Sequence, residues 1–271
     1  MKYKIGEVAK LLGVSIEAIR FFEKRGLINP TRDEVSGYRM YSAAELNVLM
    51  RIRGYTKCGF TLAETASLIE ACDLDGMASR LGERAEKLES EILYQQALLK
   101  CLWMRQEHLH RVTEMVGRSV IERSPTFYGI IYRFGQLIPE DEDLREQVRE
   151  WVERKPFAET LLIFPKGYLE GRKESYLHGL CMEECLARFF DVVGKPGVVE
   201  FPSRRAVYSI DIIPYEHTLE KRQTIQFFSA ARRYINEQGL RIVGDSYGRT
   251  IHSTKASGEY VHYSEQWIPV E

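Results

Sequence analysis

Hydrophobic positions along this chain change their period twice. From about Met77 to about Arg118 they recur in heptads with no proline, which predicts one long helix. With Ala78, Ala85, Ile92 and Leu99 at a, the d positions hold Leu81, Leu88, Leu102, Leu109 and Val116, a seam that leaves water only against a partner helix. Such a helix spans roughly 60 Å, more than one small domain covers. It is expected to join two domains and to pair with its copy in a second chain. Gln95 at d, and Gln106 and Thr113 at a, interrupt the seam, and polar groups at such places fix register and oligomeric state.

Before the heptads the spacing is that of short helices. Ile5, Val8, Ala9 and Leu12 share one helical face, Gly13 ends it, and Ser15 is placed to cap a second helix from Ile16 to about Lys24. Ile16, Ile19 and Phe22 turn toward the first helix, leaving Glu17, Arg20, Phe21 and Lys24 on the open side. This is helix-turn-helix layout, with the second helix suited to a major groove. Thr31 to Tyr41 reads as a polar hairpin with Ser36-Gly37 near its tip and Tyr38, Arg39 and Tyr41 on the returning strand. Arginine and tyrosine hydroxyls there suit phosphate oxygens. Helices over Ala43 to Gly54 and Leu62 to Cys72 complete the unit.

Past Gly117 strands alternate with amphipathic helices. Strands are expected at Pro125–Phe134, Thr160–Pro165, Gly197–Phe201, Arg205–Asp211, Leu240–Ser246 and Tyr260–Val270, with helices at Asp143–Val152 and Leu219–Glu237. The two halves echo each other as strand, helix, strand, which predicts a duplicated α+β domain with a groove between its halves.

Composition adds little until it is localised. The 271 residues carry a net charge of −1, but the first sixty hold eleven Lys/Arg against six Asp/Glu. A basic excess confined to one small domain suits a nucleic-acid face. No apolar run approaches the roughly 18 residues of a membrane span, and the opening MKYKIGEVAK lacks the apolar region of a signal peptide, so a cytoplasmic location and no membrane partner are expected. Five scattered cysteines make no disulfide framework. His178, Cys181 and Cys185, on a helix or turn, lack a fourth ligand at recognisable spacing, so no metal is assigned. Neither a Ser/His/Asp arrangement nor a phosphate- or dinucleotide-binding loop is present; no catalytic residue and no cofactor are assigned.

IGEVAKLLGVS (Ile5 to Ser15), IRFFEKRGLINPTR (Ile19 to Arg32), GYRMYS (Gly37 to Ser42), Glu45-Leu46 and GFTLAE (Gly59 to Glu64) resemble, in order and spacing, the MerR family of transcriptional regulators. The resemblance covers roughly the first 120 residues, the long helix included. It implies DNA-binding roles on the recognition helix and wing for Ser15, Glu17, Arg20, Phe21, Lys24, Tyr38, Arg39 and Tyr41. Phe21-Phe22 stands where the family usually has a tyrosine pair, so hydroxyls that could reach phosphate are absent there.

More loosely, RAVYSID, INEQG, IVGDSYG and the final strand from Tyr263 to Val270 resemble the GyrI-like effector-binding domain of BmrR-type multidrug sensors. That implies an aromatic pocket around a buried carboxylate, suited to flat, apolar, often cationic molecules. The position of the family's pocket glutamate falls on Gly248, so another acid must serve. Glu265, alternating with Tyr263 and Trp267 on one strand face, is preferred, and Asp245 is second. Tyr128, Tyr208, Phe227, Tyr247 and Tyr260 complete the candidate pocket.

The expected architecture is thus an all-α winged helix-turn-helix domain at 1–75, a long antiparallel coiled-coil dimerisation helix at 76–119 and an α+β GyrI-like ligand-binding domain at 120–271. Leu81, Leu88, Ile92, Leu99, Leu102 and Leu109 carry the dimer. The expected function is a homodimeric, non-enzymatic activator that binds promoter double-stranded DNA, works with RNA polymerase and remodels the promoter spacer on binding a lipophilic, aromatic or cationic effector. Two other readings stay open: a metal- or redox-responsive sensor, and a GyrI-like small-molecule hydrolase fused to a DNA-binding domain.

Overall fold

The computed structural model describes residues 2–71, 73–135, 137–172, 175–214, 228–256 and 259–271. The chain forms two compact units, 1–92 and 93–271, so the division falls inside the long helix rather than at its ends.

In the first unit β1 (Tyr3–Lys4), α1 (Ile5–Leu12), α2 (Ile16–Lys24), β2 (Thr31–Arg32), β3 (Arg39–Tyr41), α3 (Ala43–Lys57) and α4 (Leu62–Ala71) follow in order. Local signals set these boundaries. Gly13 takes the left-handed conformation (φ 60°) that stops α1, and the Ser15 hydroxyl accepts the Ala18 N–H at 3.0 Å to open α2. Ser42 and Glu45 form a reciprocal capping box on α3, and the Ser42 bonds hold the Glu45 carboxyl below its usual pKa. Val8, Ile19, Phe22, Leu49 and Ile52 close the core. The hairpin is part of a three-stranded antiparallel sheet, because β1 pairs β3 from the side opposite β2.

α5 (Leu74–Met115) is a single helix of 42 residues. The second unit continues with β4 (Ser119–Arg123), β5 (Phe127–Phe134), α6 (Glu142–Glu153), β6 (Glu159–Phe164), α7 (Lys166–Leu169), β7 (Leu177–Glu183), α8 (Glu184–Phe189), β8 (Val199–Phe201), β9 (Arg205–Pro214), α9 (Ser229–Glu237), β10 (Ser246–Ala256) and β11 (Glu259–Pro269). Eight strands form one sheet in the order β4-β9-β11-β10-β6-β7-β5-β8. The duplication is visible among the described elements: β5-α6-β6-β7 and β9-α9-β10-β11 follow one succession, with α7 added between β6 and β7 in the first half, and β6 and β10 meet antiparallel at the join. Residues 240–245 are not a strand as expected. They form a connection with an isolated bridge between Ile242 and Val270, and β10 begins only at Ser246. His178 and Cys181 stand on β7, not on a helix or turn, while Cys185 is on α8.

Alternation divides the sheet into two faces. Leu162, Phe164, Val207 and Ile268 pack with α9 residues, and Tyr128, Ile130, Leu180 and Met182 with Trp151 of α6. The opposite face carries Phe127, Leu161, Cys181, Tyr208, Tyr247 and Trp267, and Val112 and Met115 of α5 pack onto it.

Candidate functional site

The first site is the open side of the helix-turn-helix. Arg20 and Lys24, one turn apart on α2, are exposed, as are Ser15 and Glu17. Ser15 is already engaged as the cap of α2. Tyr38 and Arg39 project from the hairpin; the Lys4 ammonium lies 5.2 Å from the Tyr38 ring centroid. The tip is held by Asp33, whose carboxylate accepts the Val35 and Ser36 N–H groups and the Ser36 hydroxyl, which hold the carboxyl below its usual pKa. Gly37 (φ 70°) makes the reversal.

Glu23 does a job its charge alone did not suggest. It pairs with Arg39 at 3.1 Å and accepts the Tyr41 hydroxyl, clamping the returning strand to α2. Tyr41 is consequently a correction: it is fully buried, and burial together with the Glu23 bond pushes its phenol upward in pKa. It packs the wing against the core, and its hydroxyl is donated to Glu23. Phe22 is core, whereas Phe21 is half-buried, edge-on to Phe22 at 5.2 Å and capped by the Arg25 guanidinium at 5.2 Å.

The second site lies on the α5-facing side of the sheet, where the structure brings together Tyr208, Tyr247, Tyr263, Glu265 and Trp267. Glu265 is 1% exposed and accepts the Tyr208 hydroxyl at 2.9 Å. The expected buried acid is there, but the chain supplies its own cation: the Arg249 Nε–H binds Glu265 directly. Arg249 also reaches Glu159 and Glu183 at 2.8 Å each and donates to His108 Nε2 at 2.9 Å, while its guanidinium sits 5.2 Å from the Phe127 ring centroid. Burial opposes the charge on Arg249, but Glu265, Glu159 and Glu183 outweigh it. Because arginine only donates, His108 accepts through an unprotonated nitrogen; burial, then Arg249, lower its pKa.

α5 delivers more than His108. Arg105 pairs with Glu159 at 3.5 Å, and Arg111 pairs with Glu122 while lying 3.9 Å over the Tyr208 ring. Glu122 in turn accepts the Trp267 indole N–H at 2.9 Å. Arg105, His108 and Arg111 are three residues apart and off the heptad seam, so one flank of the helix meets the sheet while Leu99, Leu102 and Leu109 stay 45–53% exposed. In the first unit Leu81, Leu88 and Ile92 are exposed as well.

Several expected pocket residues fall elsewhere. Tyr128 belongs to the opposite face, in the core with Trp151, because it alternates with Phe127. Asp245 is exposed and caps Lys166 N–H at 2.8 Å, remote in role from the acid centre. Tyr260 is 58% exposed near the end of the β10–β11 ribbon, and Phe227 lies outside the described residues. Gly248 cannot carry the family's acid: a Cβ there would stand 1.9 Å from the Glu265 carbonyl oxygen. The carboxylates come from β11 on one side of β10 (Glu265) and from β6 and the next strand β7 on the other (Glu159, Glu183).

Sequence reading missed Arg249, Glu159, Glu183 and His108. The available signal was a charged residue, Arg249, two positions after Tyr247 on what should be a buried strand face. Among the described residues no group of three His, Cys, Asp or Glu side chains is arranged to hold a metal ion, and Cys101 and Cys181 are buried thiols. Nor is any described helix long and apolar enough to cross a membrane.

At the end of α5 an apolar groove of about 440 Å³ opens between Leu109, Val112 and Val116 and the strand residues Ile212, His252 and Tyr263. By contrast, the space around Arg249, His108 and Glu183 is about 10 Å³.

Residues 3–72 match the model of the MerR HTH family regulatory proteins. Among curated proteins, the mercuric resistance operon regulatory protein of Bacillus cereus is 45% identical over 76 residues, 28% of this chain and 57% of that one. The HTH-type transcriptional activator mta of Bacillus subtilis is 34% identical over 79 residues, 29% of this chain and 31% of that one. The chain thus spans about half the length, or less, of these relatives. Among solved structures, the cryo-EM structure of the EcmrR–DNA complex in EcmrR-RPo aligns over 99% of both chains at 16% identity, with a TM-score of 0.36.

Proposed function

On the premise that residues 3–72 are a MerR-family helix-turn-helix domain, we propose that the chain is a homodimeric, ligand-responsive transcription activator. The observation that carries this reading is one continuous helix, α5, that begins beside the DNA-binding elements and ends as one wall of a second, α+β unit. Arg20 and Lys24 enter or border the major groove, and Tyr38 and Arg39 hold the flanking phosphates. The uncovered stripe Leu81, Leu88, Ile92, Leu99, Leu102 pairs antiparallel with the same stripe of a second chain. The α+β unit receives a lipophilic small molecule, and its effect reaches DNA through α5. Such coupling requires the effector to favour the activating arrangement of the dimer over the resting one. RNA polymerase then uses a promoter whose spacer the dimer has bent and untwisted, with base-step deformability contributing to site choice.

The test is selection of operator DNA from a random library, followed by footprinting and mass determination of the complex. A two-fold symmetric site protected by two chains is expected. A site without symmetry, bound by one chain, would remove the dimer from the account.

A further inference from the structure

The acid centre that family resemblance points to is full. Arg249 and His108 leave about 10 Å³ there, at or below what a single water needs. Among the described residues, Glu122 is matched by Arg111, Glu159 by Arg105 and Arg249, and Glu183 and Glu265 by Arg249. At these four carboxylates an incoming cation finds neither an unmatched charge nor room.

The groove at the end of α5 differs on both counts. Its 440 Å³ lies within the range of small-molecule sites. Among the described residues none that lines it is Asp, Glu, Lys or Arg. Leu109, Val116 and Ile212 leave apolar surface uncovered within one chain, at 46, 37 and 43% exposure, and the groove takes Leu109 and Val116, the last two d positions of the seam, out of the dimer contact expected of them. His252 and Tyr263 stack at 25° with ring centroids 6.4 Å apart, giving the groove a flat wall. The polar groups of the described lining are the His252 ring, the Tyr263 phenol and the Thr113 and Thr254 hydroxyls, all of which suit a neutral hydrogen-bonding group. A charged molecule would lose its hydration here without a counter-charge.

We propose that the effector site of this protein is this groove, and that its ligand is an uncharged, flat, apolar molecule. The proposal rests on the reading above that the α+β unit receives an effector. It also explains how the ligand acts. Leu109, Val112, Thr113 and Val116 belong to the end of α5 or follow it directly, so a molecule wedged between them and β9–β11 pushes on the dimerisation helix without an intermediary.

The test uses the full chain and two probes, neutral N-phenyl-1-naphthylamine, whose fluorescence rises in apolar surroundings, and the cation tetraphenylphosphonium. The neutral probe should bind saturably, one per chain, and the cation should not displace it. Ile212→Trp and Thr254→Trp, which fill the groove from partly exposed positions, should each weaken it by roughly tenfold or more, with operator binding and the unfolding midpoint retained as evidence of folding. Unchanged affinity in both variants would overturn the proposal, as would displacement by tetraphenylphosphonium. So would binding that vanishes as the chain dimerises, which would put a second copy in the groove. In any of these cases an unfolding transition still raised by lipophilic molecules would leave the effector-responsive reading standing; a transition that no lipophilic molecule moves would remove both.

Discussion

Replacing Arg249 by methionine should be among the most damaging single changes in the second unit, and the damage should depend on pH. The side chain is 4% exposed, and its loss leaves Glu265, 1% exposed, with the Tyr208 hydroxyl as its one remaining hydrogen-bond partner among the described residues. Glu159 keeps Arg105 at 3.5 Å, and Glu183 is 21% exposed, so most of the cost falls on Glu265. Breaking a buried pair from one side costs about 3–5 kcal/mol. The stranded carboxyl would have its pKa raised in the folded state above its unfolded value. Such a group binds protons preferentially when folded, so the variant loses stability as pH rises through that interval. The deficit should be largest near pH 7.5 and shrink toward pH 4.5. Urea unfolding followed by tryptophan fluorescence reads this directly, since Trp267 lies in the same core cluster as Tyr208 and Tyr247. The double variant Arg249→Met, Glu265→Gln should recover much of the loss, because no charge is then left at Glu265. A deficit under about 1 kcal/mol at pH 7.5, or one independent of pH, would show that water screens the cluster and would refute the reasoning.

Other expectations follow from single contacts. Arg39→Ala should weaken DNA binding across sequences and lower the salt slope by about one ion, measured by anisotropy titration at several salt concentrations; Tyr41→Phe should instead cost about 1 kcal/mol of stability with no change in that slope. Gly248→Ala drives a methyl against the Glu265 carbonyl oxygen at 1.9 Å and should separate β10 from β11, seen as loss of the second unit's unfolding transition while operator binding persists in the first. His178, held to a pKa of about 3 by burial and then by Arg133, binds protons only in the unfolded chain between about pH 6.5 and 3. It should therefore remove about 1.4 kcal/mol per pH unit below 6.5, and His178→Gln should flatten that part of the profile in calorimetry.

What the sequence disclosed was local. The boundaries of α1 and α2 rest on Gly13, Ser15 and a 3.6-residue period, each readable within a dozen residues, and the structure has them there. The alternation of Tyr263, Glu265 and Trp267 likewise needed only one strand. Arg249, Glu159 and Glu183 were not legible because they come from β10, β6 and β7, which neighbour one another only through the sheet order. Tyr41 misled for a related reason: its strand has three residues, too few for alternation to say which face meets α2. The heptads foretold α5 but not its second use, since Arg105, His108 and Arg111 look like ordinary solvated positions until the sheet lies against them.

The central claim is that a small molecule held by the second unit controls transcription at DNA held by the first. Run-off transcription with purified RNA polymerase, on a template carrying the selected operator, measures it directly. The account predicts that the operator is occupied with or without N-phenyl-1-naphthylamine, that transcript rises only with it, and that Leu88→Asp with Leu102→Asp abolishes the rise. A rise that survives the loss of the helix seam, or a ligand that merely releases the protein from DNA, would contradict it.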